Sequence, residues 1–365
     1  MFYRRILGER ACPAGIKTYR NGRSAKMRAV VFEQVGKLSV HTLPDPTPGP
    51  KDLIIEVSAV GICGTDVHLI DGEFEGATFP IIPGHEVSGI VVDLGKEVKG
   101  FAKGDKVTVN NTLTCMECEY CLNGRSNLCR KWEGMGVVGN DGGSAEFMKA
   151  PAANCYKLAE SVDLNHAALI EPLACAVRGY DQIPRDLGKH FLLYGAGTMG
   201  LMMAQLAPRA GAVSVTIVDT NASRLEAARE VGIETRLGSA NDASREQWDV
   251  VIDCTGVIPA IEDGLTRVKP GGTFLHFGVA AADKKASYSP FRVYRDEINI
   301  TGTMASLSSF DRAVALFEAG ALKPTPMISH YYSLDDYAGA MDMFRKGTGR
   351  KLQIRPGSKD SGTLL

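Results

Sequence analysis

Two patterns of apolar residues divide most of the chain. From Met27 to about residue 175, short β-branched runs such as "DLIIEVSAVGI" and "GIVVDLG" are separated by glycine and proline turns. This pattern predicts strands joined by tight turns in a barrel-like all-β unit. From about residue 176 to residue 303, apolar strands such as "HFLLYG" and "VSVTIVD" alternate with stretches of helical length. That alternation predicts a doubly wound parallel sheet, and hence an α/β protein.

The two ends of the chain follow neither pattern. Residues 1–26 contain seven basic residues and one acid, Glu9. We interpret this basic N-terminal extension as an arm outside the folded units, with an arginine-rich mitochondrial presequence as the alternative. Residues 304–365 contain two helical patterns, "SSFDRAVALFEAG" and "LDDYAGAMDMFRKG". They are too short for a separate domain, so we expect them to pack back on the first unit.

Composition narrows the class of protein. The 41 Lys and Arg residues nearly balance the 42 Asp and Glu residues, which gives no reason to expect binding to nucleic acid or to an anionic membrane. No apolar run approaches the roughly 20 residues of a membrane-spanning helix. Nine cysteines, four of them close together, indicate free thiols or metal ligands in a reducing compartment. We therefore expect a cytoplasmic protein, or a mitochondrial one if residues 1–26 are a presequence.

The pattern G-x-G-x-x-G occurs twice, and only one copy has the context of a nucleotide site. "GMGVVG" at residues 134–139 is followed by "NDGGS", so we interpret it as a structural turn. "GAGTMG", which contains Gly195, Gly197 and Gly200, follows a strand and opens a helix. A helix N-terminus in that position offers amides and a positive dipole end to a pyrophosphate. The second copy is therefore the predicted dinucleotide site.

An acidic residue near this site bears on the choice of coenzyme. Asp219 ends the second strand, where a carboxylate can accept hydrogen bonds from the adenosine ribose hydroxyls. Because a carboxylate there would repel a 2′-phosphate, the sequence favours NAD over NADP. Arg224 keeps NADP open as the alternative, although a solvated helix residue is its simpler interpretation.

Four cysteines form the pattern C-x2-C-x2-C-x7-C, at Cys115, Cys118, Cys121 and Cys129. Four thiolates in one small loop match a closed tetrahedral zinc site, which stabilises its loop and leaves no coordination position for a substrate. A nucleic-acid-binding zinc module is the competing interpretation, but acidic residues offset the basic ones in the flanks. We predict a structural zinc ion.

A second set of polar residues interrupts apolar runs. "CGTDVH", from Cys63 to His68, carries a thiol, a hydroxyl, a carboxylate and an imidazole. "GHE" places His85 and Glu86 inside an apolar run, and "LIEPLACAV" does the same with Glu171. Burying such groups is costly unless each is paired or bound. Taken alone, these residues are compatible with a nucleophile and its base, with metal ligands, or with ordinary ion pairs.

The order of these motifs resembles that of the zinc-dependent medium-chain alcohol and polyol dehydrogenases. C-G-T-D-x-x-H, G-H-E, the four-cysteine lobe, the I-E-P-L segment and the nucleotide fold follow one another as in that family. The resemblance implies a GroES-like β-barrel catalytic domain over residues 27–175 and a Rossmann coenzyme domain over residues 176–303. Residues 304–365 would return to the catalytic domain. It also implies a homo-oligomer, either a dimer or a tetramer.

The resemblance also assigns metal ligands. Cys63 and His85 would bind a catalytic zinc ion, and Glu86 or Glu171 would complete the sphere, directly or through water. A zinc ion in an open site lowers the pKa of a bound hydroxyl. Asp66 would orient His85 through the far ring nitrogen, and an ordinary turn residue is the equally weighted alternative. The protein would therefore contain two zinc ions, one catalytic and one structural.

A proton relay follows from the same resemblance. Thr65 would take the proton of the substrate alcohol and pass it through the coenzyme ribose to His68. A histidine titrates near neutrality and can deliver a proton to solvent. Hydride would leave the carbinol carbon for the nicotinamide.

The likeness differs among substrate classes. Polyol dehydrogenases carry "IEPL" around the position of Glu171, where many alcohol-specific members carry a cysteine. Animal-type sorbitol dehydrogenases carry an Arg-Tyr pair after the last sheet strand, and here Met304 and Ala305 stand in its place. We expect oxidation of a pentitol such as arabitol, or of a hexitol, to a ketose. Threonine dehydrogenases share "CGTDVH" but usually carry "DP", which makes an L-threonine 3-dehydrogenase the runner-up.

Two other classes remain as alternatives. In a thiol enzyme, Cys63 would be the nucleophile and His68 its base, and activity would survive chelation. A non-catalytic zinc and nucleotide-binding protein would bind NADH without turning over any alcohol. The presence of Thr65 and His68 argues against this last class, since a binding protein has no need of a relay.

Overall fold

The computed structural model describes residues 26–240 and 247–364. The basic N-terminal extension therefore lies outside the described residues, except for Lys26. The two interpretations of this extension, an arm and a presequence, therefore concern residues that the structure does not describe. Among the described residues, no helix has the length and apolar character needed to cross a membrane.

The first unit consists mainly of antiparallel strands. Its strands and helices are β1 (Lys26–Gln34), β2 (Lys37–Pro44), β3 (Asp52–Gly61), α1 (Gly64–Ile70), β4 (Glu86–Leu94), β5 (Lys106–Val109), β6 (Thr112–Leu113), α2 (Glu119–Leu122), β7 (Glu133–Met135), β8 (Gly139–Asn140), β9 (Phe147–Pro151), β10 (Cys155–Lys157) and α3 (Leu164–Ala167). β7 and β8 belong to a small three-stranded sheet with β6. The motif "GMGVVG" begins in β7, turns at Gly136 and ends in β8, and it is followed by β9 and not by a helix, which confirms the prediction that it is a structural turn.

The second unit is a parallel sheet with helices on its faces. Its elements are α4 (Ile170–Tyr180), β11 (Lys189–Tyr194), α5 (Thr198–Leu206), β12 (Ala212–Asp219), α6 (Ala222–Glu230), β13 (Glu234–Leu237), β14 (Trp248–Asp253), α7 (Ile258–Arg267), β15 (Val268–His276), α8 (Pro290–Arg295) and β16 (Asn299–Gly302). The six strands are parallel, in the order β13-β12-β11-β14-β15-β16. This is the strand order of a dinucleotide-binding fold, with the ligand crevice where the order reverses.

The C-terminal segment returns to the first unit. It contains α9 (Phe310–Glu318), β17 (Ile328–Tyr332), α10 (Tyr337–Lys346), β18 (Lys351–Ile354) and β19 (Gly362–Thr363). β18 pairs with β3, and β17 and β19 extend the same sheet to the order β10-β5-β4-β3-β18-β17-β19. Strands far apart in the chain therefore lie side by side. The pairing places Lys351, at the start of β18, in the same sheet as β3, which directly precedes Cys63 and α1.

The apolar residues form separate cores that match the two units. One cluster fills the barrel and includes Leu53, Ile55 and Leu352. Others cover the two faces of the parallel sheet, because its strands are apolar on both sides. The boundary predicted at residue 175 falls inside α4, whose buried residues join the core of the parallel-sheet unit. The predicted α/β class, with a GroES-like unit and a Rossmann unit, is confirmed.

Candidate active site

Cys63 lies at the N-terminus of α1, where a local hydrogen bond fixes the start of the helix. Its backbone is extended, with φ −129° and ψ 164°, and its amide donates to Asp66 Oδ2 at 2.9 Å. A side chain that satisfies a free amide in this way stabilises a helix start. Asp66 is almost completely buried, so the bond is shielded from water. The backbone of Cys63 is thereby held in one position.

His85 and Glu86 reach Cys63 from another part of the sheet. β4 begins at Glu86, which is paired with Gly61 at the end of β3. The ligand atoms of Cys63, His85 and Glu86 all lie within 4.8 Å of one another. Sulfur, imidazole nitrogen and carboxylate oxygen are the ligands that zinc takes in proteins. The structure therefore brings together three of the predicted ligands.

The charges around His85 favour a cation at this point. Burial alone would lower the pKa of His85, but a hydrogen bond to Cys63 and the charge of Asp66 raise it to about 10. His85 Nδ1 and Asp66 Oδ1 are 3.8 Å apart, which is an ion-pair contact and not the predicted hydrogen bond. These two atoms are buried and find no hydrogen-bond partner among the described residues. A zinc ion would supply the favoured positive charge, so the residues fit it.

Glu171 lies beside this cluster, in the first turn of α4. Burial raises its pKa to about 7; the charges of His85 and Lys351 oppose this rise and that of Glu86 adds to it. Its carboxylate is not part of the group of atoms within 4.8 Å. Glu171 Oε1 accepts a hydrogen bond from Cys175 Sγ at 3.6 Å. Of the two carboxylates that could complete the sphere, only that of Glu86 belongs to this group.

A buried lysine outside the sequence motifs, Lys351, contacts the Glu86 carboxylate. Lys351 is 4% exposed, and its Nζ lies 2.6 Å from Glu86 Oε1 and 2.5 Å from Glu86 Oε2. It also donates to the carbonyl oxygen of Ile62 at 3.0 Å. Burial lowers the pKa of Lys351, but the charge of Glu86 raises it above the ordinary lysine value. A lysine at the start of the apolar run "KLQI" was the available signal, but its partner could not be predicted from the sequence.

Thr65 and His68 lie on α1, three residues apart. Such residues share one face of a helix. Thr65 Oγ1 is 3.8 Å from Cys63 Sγ, so the hydroxyl adjoins the ligand cluster. His68 is partly exposed, and its Nδ1 lies 2.7 Å from Glu73 Oε2. The arrangement places a hydroxyl beside Cys63 and a partly exposed imidazole one turn farther along α1, and the relay between them stays a prediction.

The "GAGTMG" loop joins β11 to α5 and has the shape of a phosphate site. Gly195 has φ +96°, a conformation that favours glycine. A Cβ at Gly200 would lie 1.7 Å from the carbonyl oxygen of Gly195, so only glycine allows this close packing. A Cβ at Gly197 would meet no atom within 4 Å, which leaves open space at the N-terminus of α5. A pyrophosphate fits this position.

Asp219 is held at the end of β12 by two backbone amides. Its Oδ2 accepts from the Ala196 amide and its Oδ1 from the Asn221 amide, both at 2.7 Å. Since a carboxylate can accept about four hydrogen bonds, capacity remains for ribose hydroxyls. Arg224 Nη1 lies 4.0 Å from Asp219 Oδ2, and its Nη2 donates to the carbonyl oxygen of Gly347 at 3.1 Å. Arg224 is therefore held between the two units and is more than a solvated helix residue.

The four cysteines of the lobe form a compact group of sulfur atoms. The Sγ atoms of Cys129 and Cys115 are 3.4 Å apart, those of Cys115 and Cys121 3.9 Å, and those of Cys118 and Cys129 4.0 Å. Tetrahedral zinc with ordinary zinc–sulfur bonds requires sulfur atoms about 3.8 Å apart. Backbone amides lower the pKa of Cys118 to about 6, whereas burial raises that of Cys121 to about 12. A cation is needed to keep both as thiolates, so this group also fits zinc.

Comparison with known proteins agrees with both units. Residues 49–160 match the family model of the alcohol dehydrogenase GroES-like domain, and residues 198–319 match that of the zinc-binding dehydrogenases. D-arabinitol dehydrogenase 1 of Uromyces fabae is 34% identical over 344 residues, which cover 91% of this chain and 98% of that protein. The chain belongs to the zinc-dependent medium-chain alcohol and polyol dehydrogenases. The resemblance inferred from the motifs is thereby confirmed.

Other relatives of this dehydrogenase differ in substrate and coenzyme. L-threonine 3-dehydrogenase of Photobacterium profundum is 33% identical over 322 residues, covering 84% of this chain and 92% of that protein. A solved structure described as a zinc-binding dehydrogenase of Sinorhizobium meliloti 1021, bound to NADP, has 35% identity and a TM-score of 0.86. It covers 91% of this chain and all of that one. The family favours zinc-dependent oxidation of a secondary alcohol over the thiol-enzyme and non-catalytic alternatives.

Proposed function

We propose that this dehydrogenase oxidises a secondary hydroxyl of a pentitol or hexitol to a ketose and transfers the hydride to NAD. The observation that carries the proposal is the ligand group of Cys63, His85 and Glu86, with the buried carboxyl of Glu171 beside it. A neutral polyol suits a site whose buried cation, Lys351, is already paired with Glu86. L-threonine would bring a carboxylate that needs a cation of its own.

Each residue of the site has a separate role in the proposed reaction. When bound between Cys63 and His85, zinc supplies Lewis-acid chemistry that lowers the pKa of the substrate hydroxyl. Thr65, whose Oγ1 adjoins Cys63, is in position to accept the hydroxyl proton. His68, at the surface beside Glu73, can release a proton to water. Cys63 and His85 would hold the zinc ion, and Glu86 balances the charge of Lys351.

The proposed preference for NAD rests on Asp219. Its carboxylate is fixed by two amides at the end of β12, so it cannot turn away from a 2′-phosphate without breaking them. Arg224 is bound to Gly347 and lies 4.0 Å from Asp219, so these two contacts already compensate part of its positive charge. A ligand with free ribose hydroxyls therefore suits the site better than one with a 2′-phosphate.

The substrate class is tested with a panel of alcohols at saturating NAD, repeated with NADP. Arabitol, xylitol, ribitol, sorbitol, mannitol, L-threonine and simple alcohols would be compared by kcat/KM. We expect the best polyol to exceed L-threonine by about tenfold or more, the scale of discrimination that pocket contacts provide. A higher value for L-threonine would replace the proposal with the runner-up.

Changing Asp219 to serine is expected to reduce the preference for NAD over NADP. Hydrogen bonds to a charged group contribute about 1.5–3 kcal/mol, which corresponds to roughly 10- to 100-fold in the ratio of kcat/KM values. The matched control is Glu226→Ser, which removes an exposed carboxylate from the neighbouring helix α6. An unchanged ratio in Asp219→Ser would show that this carboxylate does not select the coenzyme.

We also propose that the dehydrogenase is a homo-oligomer assembled through the β16 edge of the parallel sheet. Ile300 on that strand and Phe291 and Tyr294 on α8 are exposed, with Tyr294 at 83%. An unprotected edge next to exposed aromatic side chains marks a surface that pairs with another chain. A twofold axis would join two copies of β16 in one continuous sheet. Light scattering would reveal at least a dimer, and Ile300→Lys is expected to weaken it; a monomer would contradict the proposal.

A further inference from the structure

The turn between α10 and β18, residues 347–350, lies between the coenzyme site and the metal site. It joins Gly347, which ends α10, to Lys351, which begins β18. On one side the turn contacts α6, which follows the strand that carries Asp219. On the other side it leads directly to the buried lysine beside Glu86. Residues 347–351 therefore contact α6 at one end and Glu86 at the other.

On the coenzyme side, the contact is made through the carbonyl oxygen of Gly347. It accepts from Arg224 Nη2 at 3.1 Å and from Asn221 Nδ2 at 3.4 Å. Both donors follow Asp219 within five residues, and Arg224 Nη1 lies 4.0 Å from that carboxylate. Gly347 has φ +65°, and a Cβ there would lie 2.8 Å from Arg224 Nη2. Because the contact is this close, a change in the position of Arg224 would displace Gly347.

On the metal side, Lys351 binds the residue before Cys63 and the candidate ligand Glu86, which follows His85. Its Nζ donates to the carbonyl oxygen of Ile62, the residue before Cys63, at 3.0 Å. The same nitrogen is paired with Glu86, the residue after His85. The amide of Ile62 also donates to the carbonyl oxygen of Leu352 at 2.9 Å. The position of β18 therefore fixes the two chain segments that present the thiol and the imidazole.

We propose that the α10–β18 turn couples occupation of the adenosine site to the geometry of the metal site, with Arg224 and Lys351 as positioning residues at its two ends. This inference rests on the proposed function. A coenzyme whose ribose hydroxyls bind Asp219 fixes this carboxylate and the Arg224 guanidinium beside it, and Arg224 in turn fixes Gly347. Through the turn, Lys351 and the segments before Cys63 and after His85 are fixed as well. Thermodynamic reciprocity then requires that metal at Cys63 and His85 strengthen nucleotide binding by the same factor.

The test is a double-mutant cycle on the zinc-loaded protein, with the NADH dissociation constant measured by fluorescence. The four proteins are the wild type, Arg224→Ala, Lys351→Met and the double variant. Coupling predicts that Lys351→Met weakens NADH binding about fivefold or more in the wild type and has little effect once Arg224 is absent. Equal factors in the two backgrounds would overturn the coupling.

A second measurement uses the metal and does not depend on activity. Release of zinc to a colorimetric chelator would be followed with and without saturating NADH. We expect NADH to slow release from the Cys63 site about fivefold or more in the wild type and not in Arg224→Ala. Gly347→Ala, whose Cβ would lie 2.8 Å from Arg224 Nη2, should also remove the protection. Protection that persists in both variants would overturn the proposal.

The matched control is Arg229→Ala, on the same helix. Arg229 bonds Thr235 within the parallel-sheet unit and does not reach the turn, so NADH should protect zinc in this variant as in the wild type. Loss of protection in Arg229→Ala would assign the effect to α6 as a whole and contradict the role of Arg224. A wild type that binds no NADH would overturn the proposed function as well, whereas NADH binding with independent effects overturns the coupling alone.

Discussion

Replacing Cys63 with serine is expected to reduce polyol-dependent NADH formation by about 1,000-fold or more. Lewis-acid stabilisation of the reacting oxygen contributes several kcal/mol, and each 1.36 kcal/mol corresponds to a factor of ten in rate. Serine is a far weaker zinc ligand than a thiolate, so the ligand group with His85 and Glu86 would lose its metal. The substitution is small and lies at a helix start, so the unfolding temperature should change little. Steady-state kinetics, circular dichroism and metal content together check this result.

The control separates the metal role from a thiol chemistry. Cys155→Ser removes a buried thiol outside the site, whose pKa burial raises to about 12, and it should leave the kinetics unchanged. A zinc ligand predicts that chelators abolish activity in the wild type and that added zinc restores it. If activity survived chelation but was lost on alkylation of Cys63, the residue would be a nucleophile with His68 as its base.

Replacing Lys351 with methionine is expected to lower the free energy of unfolding by about 3–5 kcal/mol. The substitution leaves Glu86 buried without its partner, and breaking one side of a buried ion pair carries this penalty. It also removes the hydrogen bond to the carbonyl oxygen of Ile62. Urea denaturation of the two proteins measures the difference.

Two further variants make this result specific. Lys351→Met combined with Glu86→Gln removes both charges and should recover a large part of the lost stability. Lys103→Met makes the same substitution at an exposed lysine that pairs with Asp93. It should lower the free energy of unfolding by less than about 1 kcal/mol. If Lys351→Met cost no more than Lys103→Met, the pair with Glu86 would not stabilise the site.

Much of the fold could be predicted because its signals are local. The run "HFLLY" falls within β11 and "VSVTIVD" within β12, since strands buried on both faces are apolar along most of their length. The four-cysteine site could also be predicted, because its four ligands lie within fifteen residues and their spacing alone brings the sulfur atoms together. Motif order then predicted which unit precedes which.

The contacts between distant segments could not be predicted in this way. Lys351 meets Glu86, and Arg224 meets Gly347, only because β18 pairs with β3 and α10 ends beside α6. Periodicity gives no information about which strands become neighbours, so a buried lysine remains unassigned until the pairing is known. The contact between Asp66 and His85 differs from a hydrogen bond for a local reason. One oxygen of Asp66 is bound to the Cys63 amide, and the other lies 3.8 Å from His85 Nδ1, in ion-pair contact.

The zinc content of the purified protein and two of its variants tests the central claim most directly. The structure predicts two zinc ions per chain in the wild type, one in Cys63→Ser and one in Cys118→Ser, with activity lost in Cys63→Ser while the lobe ion is retained. A single zinc ion in an active wild type, unchanged by Cys63→Ser and lost in Cys118→Ser, would contradict a metal between Cys63 and His85.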